Sequence, residues 1–303
     1  MLENYFEKGD KALSTYEAYG RNPVSINRVI EYFKKGLKSD SDNVLYHYRL
    51  GYAYHLMRRL MEASNEYEKV LKLDPPRLAS EADLKLATKY APRLFVNPKE
   101  YFKIKDLVAV IHPIKPIIAY NLFWEDDIDY PGNNDPSDHE LLWIEFNQGK
   151  GKVVGVYTYF HKAILFTEES VKDSNLHRQR AKVFGEWGEH GTLPLKWEKL
   201  HPEAIFKKIN KKIKIKGMTQ RYQELSKSIK NPNHPLAKDW PKKFTGSYKD
   251  FINFSKYIEL DRLLKKKKMV IISKWPNAVT VSYTHLRAHE TPEHLVCRLL
   301  LEK

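Results

Sequence analysis

Apolar and polar positions change period twice along this chain, and the changes predict three regions. Up to about residue 90 the apolar residues recur at helical spacing, with breaks near Pro23 and Asp74-Pro75. The spacing predicts a helix–turn–helix over 44–77, a weaker one over 10–43, and an end helix over 77–90. From Ala91-Pro92 to about residue 200, runs of aromatic and β-branched residues separated by turn residues replace the helical period. They predict strands over 107–111, 117–123, 141–146, 153–160 and 181–187. Gln148-Gly149-Lys150-Gly151 between two of these reads as a hairpin turn. After residue 200 helix returns: Ile205, Phe206, Ile209 and Ile213 form one stripe over 203–216 among lysines. A further helix over 248–264 and a buried strand over 269–273 complete the pattern. No strand–helix alternation with a glycine-rich phosphate loop is present, which argues against a doubly wound nucleotide-binding fold. The expected class is α+β: helical hairpins, then an antiparallel β-sandwich with C-terminal helices.

The hairpin over 44–77 resembles a tetratricopeptide repeat. That unit of roughly 34 residues carries Leu-Gly, a tyrosine, a small residue, an aromatic and a closing proline at fixed offsets. Leu50-Gly51, Tyr54, Ala63, Tyr67 and Pro75 fall at those offsets, and His47 stands where tryptophan is usual. Phe33 and Leu37 keep the register one repeat earlier. A single repeat cannot bury its own apolar face, so a short array is expected. The resemblance implies a protein partner, with Tyr46, His47 and Tyr54 as binding residues; an array that only braces its neighbour fits the pattern equally well.

Residues 281–303 resemble an in-frame translation of a sequencing adapter and are set aside from the fold reading. His285, His289 and Cys297, which mimic metal ligands at helical spacing, go with them. The organisation expected is therefore 1–90 helical, 91–280 sandwich with appended helices, and 281–303 non-native. The segment holds three basic and three acidic residues, so the net charge stays at +14 without it. It also holds the one cysteine, which leaves no thiol for disulfides or thiolate metal sites and fits a reducing, cytoplasmic setting. No run approaches the ~18 apolar residues of a membrane span. The lysine clusters over 207–216 and 265–268 contain no arginine or interleaved aromatics, which counts against a nucleic-acid partner. A basic amphipathic helix over 203–216 leaves peripheral contact with an anionic membrane open.

Between Lys115 and Lys150 there is no lysine or arginine, yet eight carboxylates are packed there. Clustered carboxylates repel unless a cation offsets them, and hard divalent cations prefer oxygen ligands. His139, His161 and His190 lie at predicted strand ends, so they could converge with the acids at one rim. Magnesium, calcium, manganese or zinc would suit such a set. The opposing expectation is a solvated loop, because adjacent strand residues such as His139 and Glu140 face opposite sides.

Tyr90-Ala91-Pro92-Arg93-Leu94-Phe95, with Glu100 and Phe102, resembles the opening of the plant vacuolar-sorting-like domain. Asp138-His139-Glu140 with Trp143 is similar to its acid-and-tryptophan strand and to the His-Asp-Trp-Glu motif of the necrosis- and ethylene-inducing cytolysins. Gly188-Glu189-His190-Gly191 matches the later glycine–histidine turn of the same group. The resemblance, over about 88–195, implies a β-sandwich with a divalent cation at one rim. Its ligands would be Asp127, Asp138, His139, Glu140 and His190. Tryptophan follows Glu140 by three residues rather than directly, so one motif acid has no counterpart, and toxin activity is not carried over. The expectation is a protein-interaction and ligand-binding protein. A metal-dependent hydrolase, in which the ion acidifies bound water and His139 or His190 relays protons, is the alternative. A lipid-headgroup binder is the second. Deleting residues 281–303 is expected to change unfolding free energy by no more than about 0.5 kcal/mol, as for surface changes away from specific features; chemical denaturation of both chains checks this.

Overall fold

Four helices open the chain because their apolar stripes have each other to pack against. In the computed structural model, which describes residues 4–19, 23–57, 59–100, 102–125, 138–160, 163–200 and 253–275, they are α1 (Tyr5–Tyr19), α2 (Pro23–Ser39), α3 (Val44–Leu56) and α4 (Leu60–Leu73). Pro23 occupies the first turn of α2, where its missing N–H costs nothing. Asn43 caps α3, its Oδ1 accepting from the Leu45 and Tyr46 amides. Ile26, Val29 and Phe33 of α2 are buried with Leu50, Ala53 and Tyr54 of α3 and Ala63, Tyr67 and Val70 of α4. A Cβ on Gly51 would sit 2.7 Å from the Tyr67 ring, and one on Gly36 2.3 Å from Tyr46. Close approach of an aromatic ring to the preceding helix therefore demands glycine at both places. With residues 273–275, these helices form one of two compact units.

The other unit comprises the described residues of 78–200 and 253–272. Its strands are β1 (Arg77–Leu78, straddling the unit boundary), β2 (Arg93–Val96), β3 (Ile104–Ile111), β4 (Ile117–Trp124), β5 (Asp138–Phe146), β6 (Val153–Phe160), β7 (Ala163–Phe166), β8 (Lys182–Gly185), β9 (Thr192–Pro194), β10 (Lys256–Ile258) and β11 (Val270–Ile272). Helices α5 (Glu81–Tyr90), α6 (Glu168–Leu176) and α7 (Leu260–Lys267) accompany them. The larger sheet runs β1-β11-β3-β4-β5-β6-β7 and the smaller β10-β2-β8-β9. One apolar core takes residues from both, including Leu94 and Val183 from the smaller sheet and Leu107, Leu122 and Ile144 from the larger. The α+β class expected from the sequence is the class observed.

Several expectations change in detail. The sheets are not wholly antiparallel: β11 runs parallel to β3, and β2 parallel to β8. Long intervening segments allow this, since parallel neighbours need crossover connections. The end helix α5 belongs to the sheet unit rather than capping the array, so that unit begins at Leu78 and not at residue 91. Ala87 and Tyr90 are buried in the sheet core, and the Tyr120 hydroxyl donates to the Ala87 carbonyl at 2.7 Å. Of the helix expected over 248–264, residues 248–252 lie outside the described residues, and among those described the helix begins at Leu260. Lys256–Ile258 instead pairs with β2, where Tyr257 stacks on Phe95 at 5.2 Å. Strand β7 and helix α6 were not anticipated; Thr167 caps α6 by accepting from the Ser170 amide. The segments expected as a helix over 203–216 and as an adapter-derived tail lie outside the described residues.

Ala63 is fully buried at the α3–α4 contact. Ala63→Trp is expected to overpack it and destabilise the helical unit by roughly 1–3 kcal/mol. Far-UV circular dichroism during urea unfolding measures the effect.

Candidate functional site

Three segments of the sheet unit meet at a histidine, and each is shaped by local chemistry. The first is the turn after β2, where Asn97 Oδ1 accepts from the Lys99 amide and the Glu100 amide donates to the Asn97 carbonyl. This turn directs the Glu100 carboxylate inward, where Oε1 accepts from the Phe102 amide and Oε2 from the Gly188 amide. The second is the β8–β9 connection. The Glu186 amide donates to Gly191, the His190 amide donates back to Glu186, and Trp187 Nε1 donates to the Lys99 carbonyl. Gly188 has φ +76° and His190 φ +56°. Left-handed backbone at a non-glycine residue costs on the order of 1–2 kcal/mol, so the contacts of the side chain must outweigh it. The third is the start of β5, where Asp138 lies opposite Trp124.

His190 is completely buried. Its Nδ1 is 2.8 Å from Asp138 Oδ2 and its Nε2 is 3.3 Å from Glu100 Oε1. The second approach falls short of hydrogen-bond alignment, so it acts chiefly as an ion pair. The imidazole stacks on Trp124 with centroids 4.0 Å apart and planes 9° from parallel, while Phe102 meets it edge-on at 5.7 Å. Burial alone would push the imidazole pKa down. The Glu100 charge, the contact with Asp138 and the remaining carboxylate interactions outweigh it and raise the value to about 10. The ring is therefore an imidazolium at neutral pH, clamped between acids.

The sequence expected Asp138 and His190 to meet, and they do. His139 departs from the expected cluster, because neighbours on a strand face opposite ways. Its Nε2 lies 3.1 Å from Asn121 Oδ1 and its ring packs on Phe123 at 4.9 Å. Glu140 shares the Asp138 face, opposite Leu122, and is half-buried. Asp127, the rest of 126–137 and His161 lie outside the described residues. Glu100 is the partner that residue patterning missed; it stands in the quoted 90–102 motif, but nothing in that spacing joins it to a turn near residue 190. Glu186 and Glu189 are also buried in the same connection.

Among the described residues, no group of three or more His, Cys, Asp or Glu side chains is placed to hold a metal ion. Glu100 and Asp138 approach opposite nitrogens of one ring, so they cannot share an ion through it. As arranged, His190 is a charged strut between the Asp138 and Glu100 carboxylates. In the helical unit, His47 and Tyr54 are buried, not displayed to a partner: His47 contacts Glu66 Oε2 at 2.5 Å and the Ser41 carbonyl at 2.7 Å. Tyr46 packs beside Gly36 and Phe6. These positions fill the gap between helices, which is why His47 and Tyr54 are enclosed.

Comparison with protein-family models, curated proteins and solved structures finds no match.

The raised histidine pKa makes stability depend on pH with a definite sign. An imidazolium favoured in the folded state contributes fully below the unfolded value of about 6.5, and its contribution falls as pH rises toward about 10. The urea midpoint is expected to decline from pH 7 to 9, with a slope of up to ~1.4 kcal/mol per pH unit in unfolding free energy. His190→Gln should remove that decline; a slope unchanged by the substitution rules the clamp out as its source.

Proposed function

We propose that the protein is a non-enzymatic interaction and ligand-binding protein of the cytoplasm. In this reading the helical unit, a short tetratricopeptide-type array, recruits a protein partner, and the rim of the two sheets takes a polar ligand. The observation that carries the reading is the state of His190. A histidine already protonated and engaged by Asp138 and Glu100 cannot accept a proton at neutral pH. The rim's most enclosed imidazole is thereby unavailable as a general base, and binding accounts for the arrangement better than hydrolysis. The resemblance of 90–102, 138–143 and 188–191 to the vacuolar-sorting-like and cytolysin group supports the same assignment. A cation enters through the carboxylates: Glu140, with Asp127 or its acidic neighbours, would supply oxygen ligands suited to magnesium, calcium, manganese or zinc. The absence of cysteine before residue 281 fits the compartment. Among the described residues no helix is long and apolar enough to cross a membrane.

Calorimetric titration of the full chain with each of the four cations tests the rim. Saturable binding of one of them, weakened about tenfold or more by Glu140→Gln, is expected, since each lost charged ligand removes well over ~1 kcal/mol. No binding by any cation, or binding indifferent to Glu140, removes the cation from the reading.

A further inference from the structure

The helical unit contains a contact that its own four helices do not explain. Trp275, which follows α4 by some two hundred residues of sequence, is 8% exposed and joins the core cluster of α1–α4. Its ring lies 4.8 Å from that of Tyr48 on α3, and its Nε1 donates to Asp74 Oδ2 at 3.0 Å. Lys274 Nζ reaches the same oxygen at 3.4 Å. The Trp275 amide donates to Ser273 Oγ, which turns the dipeptide so that both side chains address one carboxylate.

Asp74 is poorly sited for helix stability alone. It is the C-cap of α4, where the helix dipole disfavours a negative charge. A neighbouring cation and an indole N–H relieve that conflict, and Lys274-Trp275 supplies both. Tyr48 offers the apolar half of the recognition: burial pushes its hydroxyl pKa up, with the Arg49 charge opposing. A tryptophan anchor with a polar handle, beside one charge pair, is the chemistry of a short-peptide contact more than of a helix–helix seam. Among the described residues three consecutive ones, 273–275, make this contact, and none of them belongs to a helix or strand.

We propose that the Tyr48–Asp74 face is a peptide-docking site for a basic residue followed by tryptophan, occupied in this chain by its own Lys274 and Trp275. A partner segment of the same chemistry opens the site by displacing them. The assignment rests on the reading of the helical unit as a protein-recruiting array and names the class of partner that array takes. Because the resident segment is part of the chain, it competes at an effective concentration on the order of 1 mM. A peptide supplied in solution therefore binds weakly until the resident residues are removed.

The probe is a fluorescein-labelled peptide with the sequence of residues 271–277, titrated by anisotropy into the full chain. Trp275→Ala is expected to bind it at least about tenfold more tightly than the unsubstituted chain, as removal of an intramolecular competitor requires. Adding Asp74→Asn should return at least about a tenfold loss. Equal affinity with and without Trp275, or indifference to Asp74, overturns the proposal. Should Trp275→Ala lose its helical circular dichroism, Trp275→Phe carries the test. It keeps a stacking ring but no N–H, and must bind the probe at least about threefold more tightly than the unsubstituted chain, or the proposal fails. Selection of displayed random peptides on Trp275→Ala separates this failure from that of the wider reading. Enrichment of basic–tryptophan pairs supports the proposal. Enrichment of another class overturns it and leaves the array a recruiter, and no enrichment overturns both.

Discussion

A buried positive charge between two negative ones organises the sheet unit's rim. Removing His190 from water is costly, and the Asp138 and Glu100 carboxylates offset that cost. Each of those carboxylates is in turn held by backbone amides: Asp138 by His139, and Glu100 by Phe102 and Gly188. The charge thus ties the turn after β2, the start of β5 and the β8–β9 connection into one figure. Left-handed backbone at His190 becomes acceptable because the ring it presents is held between both acids. Trp124 closes one face of the ring and Phe102 its edge, excluding the water that would weaken the pairing.

That arrangement also separates two meanings of a histidine near acids. When the carboxylates converge on one side of a space, they invite an ion. When they bracket a ring, they fix its proton. His139 and His190 look alike in sequence, each beside an acid near a turn, yet one contacts buried Asn121 and the other is the centre of the clamp. Sequence gives the type of neighbour but not the side from which it approaches.

Legibility followed the distance over which each determinant acts. Strands β3, β4, β5 and β6 were readable because β-branched and aromatic runs and the Gly149–Gly151 turn are local signals. The α3–α4 hairpin was readable for the same reason: Gly51 and Ala63 report helix contact directly. Misreadings came where a partner lies far along the chain. Lys256–Ile258 has helix-compatible residues but is drawn into a strand by β2. Helix α5 has an amphipathic pattern that fits an array cap as well as a sheet-covering helix, and only Tyr120 and the core decide between them. At the site, Asp138 and His190 were paired by a motif, whereas Glu100 needed the fold to bring its turn across.

Strand β11 lies inside the larger sheet, between β1 and β3, although it is among the last residues of the described chain. Val270 pairs with Ala109 in parallel, so this sheet cannot be completed until that late segment has been synthesised. The four N-terminal helices depend chiefly on neighbours close in sequence and can form early, while β3 waits with one edge unpaired. During synthesis the nascent chain therefore carries a nearly finished helical unit beside an open, strongly apolar strand. Such an edge is a template for pairing with other chains. The placement of one short strand thus makes the interval before its arrival the period of greatest vulnerability to aggregation, and makes chaperone protection most valuable while residues 112–269 are being made.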